Sequence, residues 1–217
     1  NVLPQNTTIF EAYDASGSRT VNIHFPWSNG RMYWDCGNSG TSSYDRIDKA
    51  ANLNEYTADW SHWAFTKNAT TGEMNIFRNG VLWHSGTGMN RTMDIATLKL
   101  ASQGNANGYF WDGKIKEVRV FNIELSISTI SDWMNKRIDN SHPDYANLLA
   151  HYPLDEGVGT TSLDNTANQQ IATFSGNVNW NSDRGDNINQ FFTETNSRPN
   201  INFYQGMLNK MFNNGTI

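Results

Sequence analysis

The chain has 217 residues, a formal net charge of −5, 17% charged residues, and eight Trp, eight Tyr and eleven Phe. That length can bury a real core in one large domain, and the aromatic content suits pleated, half-buried surfaces. No Lys/Arg cluster stands out, which argues against a nucleic-acid partner, and no apolar run reaches about 18 residues, so nothing is expected to span a membrane as a helix.

Cys36 is the single cysteine, which excludes an intrachain disulfide and a cysteine metal cluster; it is expected to be a small core residue. The chain begins at Asn1 with neither a basic nor an apolar leader, so it is expected to be a processed product or, as we favour, a piece of something longer.

After a polar lead-in, Thr8 to Asp14 alternates, with Ile9, Glu11 and Tyr13 opposite Phe10 and Ala12. Ser16-Gly17-Ser18 supplies a turn, and Thr20 to Phe25 continues with Val21, Ile23 and Phe25 on one side until Pro26 ends the strand. A second turn at Ser28-Asn29-Gly30 leads to Arg31–Cys36, where Met32, Trp34 and Cys36 face opposite Tyr33 and Asp35. Three short strands with polar turns predict an antiparallel meander. Residues 37–59 are polar and lack a clean period, apart from one helical turn expected within Asp48–Tyr56; a loop of that length in a compact β domain is often functional.

Trp60 to Gly86 reads as three strands and two turns. Asn79-Gly80 between apolar runs is the strongest short hairpin signal, because a type I′ turn needs positive φ at both central residues. A strand is expected at Ile95–Ala101 and another over Tyr109–Asn122. In the second, strict alternation cannot bury both Ile115 and the pair Val118 and Val120, so a bulge is expected near Lys116-Glu117. Ser126 to Ile138 is the convincing helix, with Ile127, Ile130, Met134 and Ile138 at helical spacing and Ser126 as N-cap. Leu148 to Gly159 contains a further strand, and beyond Ser175 the chain is rich in Asn.

Three stretches carry a family resemblance. W-S-H-W-A-F-T with G-E-M-N-I-F-R-N-G (60–80) resembles the central meander of laminin-G-like, concanavalin A-like jelly rolls. F-W-D-G-K-I-K-E-V-R-V-F-N-I-E-L-S (110–126) resembles their closing strand, and L-A-H-Y-P-L-D-E-G-V-G (149–159) their opening one, here placed after the end. The resemblance implies an all-β, two-sheet antiparallel jelly-roll sandwich with one short helix near 126–138. It divides the chain into a jelly roll over 1–181 and an Asn-rich tail, or the start of a following module, over 182–217. The late strand at 148–154 either opens a next module or folds back into this sheet, as in a permuted chain. Fold-back is favoured, because Leu148, Leu149, Tyr152 and Leu154 need burial and no second core follows.

Such jelly rolls also serve as glycosidases, whose E-x-D-x-x-E string places paired carboxylates in one cleft. Glu11, Glu55, Glu73, Glu117, Glu124, Glu156 and Glu194 never fall in that spacing, and Glu117, between Lys116 and Arg119, reads as a cross-strand ion partner. Five scattered histidines form no H-E-x-x-H. The chain is therefore expected not to be an enzyme. For sugar recognition, an exposed aromatic must meet polar side chains, and Trp34, Asp35, Tyr44, Asp45 and Arg46 bring that mixture to one long loop; Trp34→Ala and Asp45→Ala are expected to stay folded and lose glycan binding. Many relatives hold Ca²⁺ through loop carboxylates, and the oxygen-rich candidates here are Asp35, Asn38, Asp45 and Asp48. The function expected is a carbohydrate-binding or adhesion module of a larger extracellular or cell-surface protein of bacterial type, its partner a glycan or surface protein. An accessory domain of a secreted enzyme, or a structural spacer, are the alternatives.

Overall fold

The computed structural model describes residues 3–37, 43–57, 60–104, 108–176 and 178–180, together with the backbone of 199–203. Its strands are β1 (Thr8–Tyr13), β2 (Arg19–His24), β3 (Arg31–Cys36), β4 (Asp45–Ala50), β5 (Trp63–Asn68), β6 (Glu73–Arg78), β7 (Val81–Gly86), β8 (Thr97–Leu100), β9 (Val118–Phe121), β10 (Leu148–Tyr152), β11 (Thr161–Leu163), β12 (Ile171–Gly176) and β13 (Pro199–Phe203). The helices are α1 (Leu53–Tyr56) and α2 (Ile127–Trp133).

One layer is an eight-stranded sheet in the order β11-β12-β13-β8-β1-β2-β3-β4. The other consists of β5-β6-β7 and the pair β9-β10. Every pairing is antiparallel. Period-2 alternation turns Ala12, Val21, Ile23, Trp34, Cys36, Ile47, Leu98 and Leu100 of the large sheet inward. There they form one core with Met74, Ile76, Leu149, Tyr152 and Phe174. The two-sheet, all-β expectation is borne out.

A cleft of about 1140 Å³ lies between the layers and is lined by residues of β5 and β9. It is continuous with the core, since Ile9, Val21, Ile23, Leu98 and Leu100 also line it.

The central meander forms as its turn chemistry dictates. Asn79 has φ 50° and Gly80 φ 75°, the pair of left-handed residues that a type I′ turn requires. A Cβ on Gly80 would lie 3.1 Å from Ser131 Cα, so this turn also sets how closely α2 approaches the hairpin. Gly80→Ala is therefore expected to cost about 1–2 kcal/mol, combining an unfavourable φ with a steric shift; a melting temperature equal to wild type would contradict this.

Several elements differ from the sequence expectation. The stretch 37–59 is not one long loop: it contains β4, which pairs along its whole length with β3, and α1. Helix α2 stops at Trp133 rather than reaching Ile138. Ser126 caps it by accepting from Thr129 N (3.1 Å). At the other end Arg119 on β9 donates to the carbonyls of Trp133 (2.9 Å) and Lys136 (2.5 Å), the first of them an acceptor that a longer helix would have used itself. Of Tyr109–Asn122 only Val118–Phe121 is strand. The chain kinks at Glu117, whose φ is 56° and whose N–H donates to Pro153 O at 3.2 Å, and Ile115, Val118 and Val120 can then all pack against the core. Leu148–Tyr152 pairs with Val118–Phe121, from Leu148 opposite Phe121 to Tyr152 opposite Val118, and all five of its residues are buried. Within the stretch 182–217, β13 lies between β12 and β8 in the large sheet.

Candidate functional site

Alternation that buries Trp34 and Ile47 turns the neighbouring side chains of β1, β2, β3, β4 and β8 to the opposite face of the large sheet. Register then aligns them across five strands: Lys99 opposite Glu11, Glu11 opposite Asn22, Asn22 opposite Asp35, and Asp35 opposite Arg46. A second row sets Thr8 opposite His24, His24 opposite Tyr33, and Tyr33 opposite Asp48. A register shift between Ala12 and Tyr13 places Arg19 opposite Tyr13, and Arg19 reaches Glu11 at 3.3 Å.

Arg46 is the hub of this face. Its Nε and Nη2 donate to Asp35 Oδ1 and Oδ2 at 2.5 and 2.6 Å, a bidentate pair that holds the guanidinium plane fixed. The plane lies 4.8 Å from the Tyr33 ring centroid and 4.6 Å from that of Tyr44, so two aromatic rings are locked to one cation. Tyr33 Oη accepts from Asn29 Nδ2 at 2.7 Å. The aromatic strip continues through His24, 6.2 Å from Tyr33, to Trp27, 4.1 Å from His24, and to Tyr109, 5.1 Å from Trp27. His24 is buried beneath it, whereas Tyr33, Tyr44 and Trp27 are half-buried and Tyr109 is 39% exposed.

Most polar groups beneath the strip are paired with one another. Glu11 is fully buried and accepts from Tyr13 Oη and, at 2.8 Å, from Gly104 N. Burial, reinforced by the bond to Glu11, pushes the Tyr13 phenol well above its ordinary value, so it stays a neutral donor. Burial lowers His24 to about 4, leaving a neutral ring at neutral pH. Asn22 Oδ1 is buried without a hydrogen-bond partner.

The five residues expected to form one ligand site divide between the two faces. Asp35, Tyr44 and Arg46 meet on the outer face. Trp34 lies in the core, edge-on to Phe65 with centroids 5.6 Å apart. Asp45 also points inward, where its Oδ2 accepts from Lys67 Nζ (2.6 Å) and Arg91 N (2.8 Å). Trp27, Tyr33 and Tyr109 were missed. Tyr33 could have been found by keeping to the odd positions of β3, while Trp27 and Tyr109 lie outside any strand and carry no periodic signal.

The proposed calcium ligands do not fit one ion. Asp35 is engaged by Arg46, Asp45 by Lys67, and Asp48 by Arg31 at 2.5 Å, so each carboxylate already faces a protein cation. Asn38 lies outside the described residues, and among those described no three acidic, histidine or cysteine side chains gather as a metal site. Glu117 forms an ion pair, though with Arg119 two residues along its own segment (2.9 Å) rather than across strands; its contact to the neighbouring strand is with His151 (3.0 Å). Burial pushes Cys36 well above the ordinary thiol range, as for an inert core thiol.

The model of a laminin G-type family, the concanavalin A-like lectin/glucanases superfamily, matches residues 1–131. Among solved structures, the chain is similar to a Bacteroides ovatus protein provisionally described as carbohydrate-binding, at 18% identity and TM-score 0.51 over 76% of this chain. It covers 46% of that chain. A weaker likeness, at 17% identity and TM-score 0.29, is to residues 221–444 of an S-layer domain-containing protein from Clostridium thermocellum, over 62% of this chain and 66% of that one. No protein with a curated description matches the sequence. No helix among the described residues is long and apolar enough to cross a membrane.

Proposed function

We propose that this chain, which belongs to the concanavalin A-like lectin/glucanase superfamily, is a non-catalytic glycan-binding module of a larger secreted or cell-surface protein. The observation that carries this is the outer-face strip: Tyr44, Tyr33 and Trp27 held by Arg46 and His24, with Tyr109 at its end. Sugar rings present C–H faces that pack on aromatic rings, and their hydroxyls need donors and acceptors at the margin. Arg46, Asn29 and Asp48 supply these from rigid, paired positions, so little ordering is required on binding. The carbohydrate binding ascribed to the Bacteroides ovatus protein agrees with this reading. Binding without cleavage fits the described carboxylates, because Glu11 is held by a phenol and an amide and Glu117 by Arg119 and His151.

The test is a glycan array of the wild type and of Trp27→Ala, Tyr33→Ala and Tyr44→Ala, run with and without calcium. Binding by the wild type should weaken at least about fivefold in the first two variants, since removing a stacked aromatic commonly costs more than about 1 kcal/mol. An array blank for the wild type in both conditions would overturn the proposal and leave the spacer reading ahead. Measurable turnover of a polysaccharide would overturn its non-catalytic part.

A further inference from the structure

The charges on the outer face bear on which glycans it can take, an inference that rests on the glycan-binding reading above. Strands β1 to β4 and β8 place four cationic side chains there: Arg19, Arg31, Arg46 and Lys99. Three are committed to carboxylates of the same face. Arg46 is bidentate to Asp35, Arg31 Nε lies 2.5 Å from Asp48 Oδ2, and Arg19 Nη1 lies 3.3 Å from Glu11 Oε1. The fourth, Lys99, turns aside to Gly104 O at 3.3 Å and to the Tyr13 ring at 5.9 Å. His24 adds no charge near neutral pH, because burial holds it to about 4.

Asp35 and Glu11 have side-chain exposures of 1% and 0%, so their charge cannot be screened away by solvent or displaced by a ligand without leaving a buried carboxylate unpaired. A uronate or sulfate arriving at the strip would meet guanidinium groups already neutralised, beside buried anions of its own sign. It would lose hydration and find no free guanidinium, while the one ammonium of the face, Lys99, is turned toward Gly104 O and the Tyr13 ring. An uncharged glycan loses much less, and the aromatic rings and paired polar groups offer it stacking and hydroxyl partners. The strip passes from Tyr44 at β4 to Tyr109 beside β1, with successive aromatic or guanidinium contacts of 4.1 to 6.2 Å. It therefore suits several linked sugars rather than a single terminal one.

We infer that the outer face selects uncharged, chain-like glycans and discriminates against uronic-acid and sulfated ones, because its three arginines are internally neutralised by Asp35, Asp48 and Glu11 and Lys99 is turned aside.

Affinity electrophoresis and calorimetry against neutral chains (mannan, xyloglucan, mixed-linkage β-glucan) and acidic ones (polygalacturonate, alginate, chondroitin sulfate) test this directly. The wild type should bind at least one neutral chain, with affinity changing less than about twofold between 50 and 500 mM salt, and bind acidic chains at least about tenfold more weakly. Asp35→Asn, which frees the Arg46 charge, should raise affinity for an acidic chain and make it salt-dependent. Wild-type binding confined to acidic chains and lost in high salt would overturn the inference while leaving glycan binding intact. Failure to bind any chain would overturn the glycan-binding reading and this inference with it. Should Asp35→Asn not fold, the comparison of neutral and acidic chains on the wild type still decides.

Discussion

Trp34→Ala is expected to remove about 3–5 kcal/mol of stability, the range for truncating a large aromatic in a packed core. The indole is 4% exposed and sits between the layers against Phe65. In a chain of this size such a loss lowers the melting temperature by roughly 6–20 °C. Asp45→Ala belongs in the same class for an electrostatic reason. Lys67, with a side-chain exposure of 2%, would keep its ammonium buried after losing the carboxylate 2.6 Å away. Breaking such a pair typically costs about 3–5 kcal/mol. Both outcomes reverse the expectation that these variants stay folded and lose only binding. Tyr44→Ala, on the outer face, should differ from wild type by about 1 kcal/mol or less, since its half-buried ring contributes one cation–π contact. Chemical denaturation of the three variants side by side checks the ranking; a Trp34→Ala midpoint within error of wild type would show that the indole is not a core element.

The alternation needed to see this was in the sequence. A strand over Arg31–Cys36 with Trp34 and Cys36 on one side must send Asp35 to the other, and Asp45 and Arg46 separate in the same way. Combining all five into one site required them to lie in an irregular loop, where alternation does not apply. β4 hid that it was a strand because Ile47 is its one large apolar side chain. Four of its other five positions carry the charges of an edge strand, which guard against unwanted pairing. The central meander was legible because turn chemistry at Asn79-Gly80 and apolar alternation agree. The kink at Glu117 was legible for the opposite reason, a conflict between alternation and burial that one left-handed residue resolves. β11 and β13 gave no such signal: the first is three residues long, and the second pairs in the middle of the sheet despite its proline. Ion pairs such as Arg46–Asp35 join residues eleven apart through register alone, which no local pattern announces.

Stability should fall steeply as pH drops from about 6.5 to about 4, before most carboxylates titrate. Burial lowers both His24 and His62 from 6.5 to about 4. The hydrogen bonds of His24 show why its charged form is disfavoured. Nδ1 donates a hydrogen bond to Thr7 O at 3.2 Å, and Nε2 accepts one from Asn22 Nδ2 at 2.7 Å. A second proton on Nε2 would face an amide donor inside the sheet; burial is the largest effect, Asp35 opposes it, and Arg19 and Arg46 add repulsion. The sign follows from linkage. Below about 6.5 the unfolded chain binds protons on these two rings, whereas the folded chain does so only below about 4, so each unit of acidification in that window favours unfolding. Each ring contributes on the order of 3 kcal/mol across the window, and the loss levels off once both states are protonated. The lowered value of Glu117, held by His151 and Arg119 against the raising effect of its burial, adds a further loss that begins only as pH falls past the ordinary carboxylate range. Urea midpoints measured from pH 7.5 to 3.5 should therefore show a first decline above pH 4.5. Replacing His24 and His62 together by Asn should make that decline shallower while sparing the later one, the remainder coming from His84 and His142, which burial also lowers. A wild-type stability that stays level between pH 7 and pH 4.5 would show that neither imidazole is buried in its neutral form.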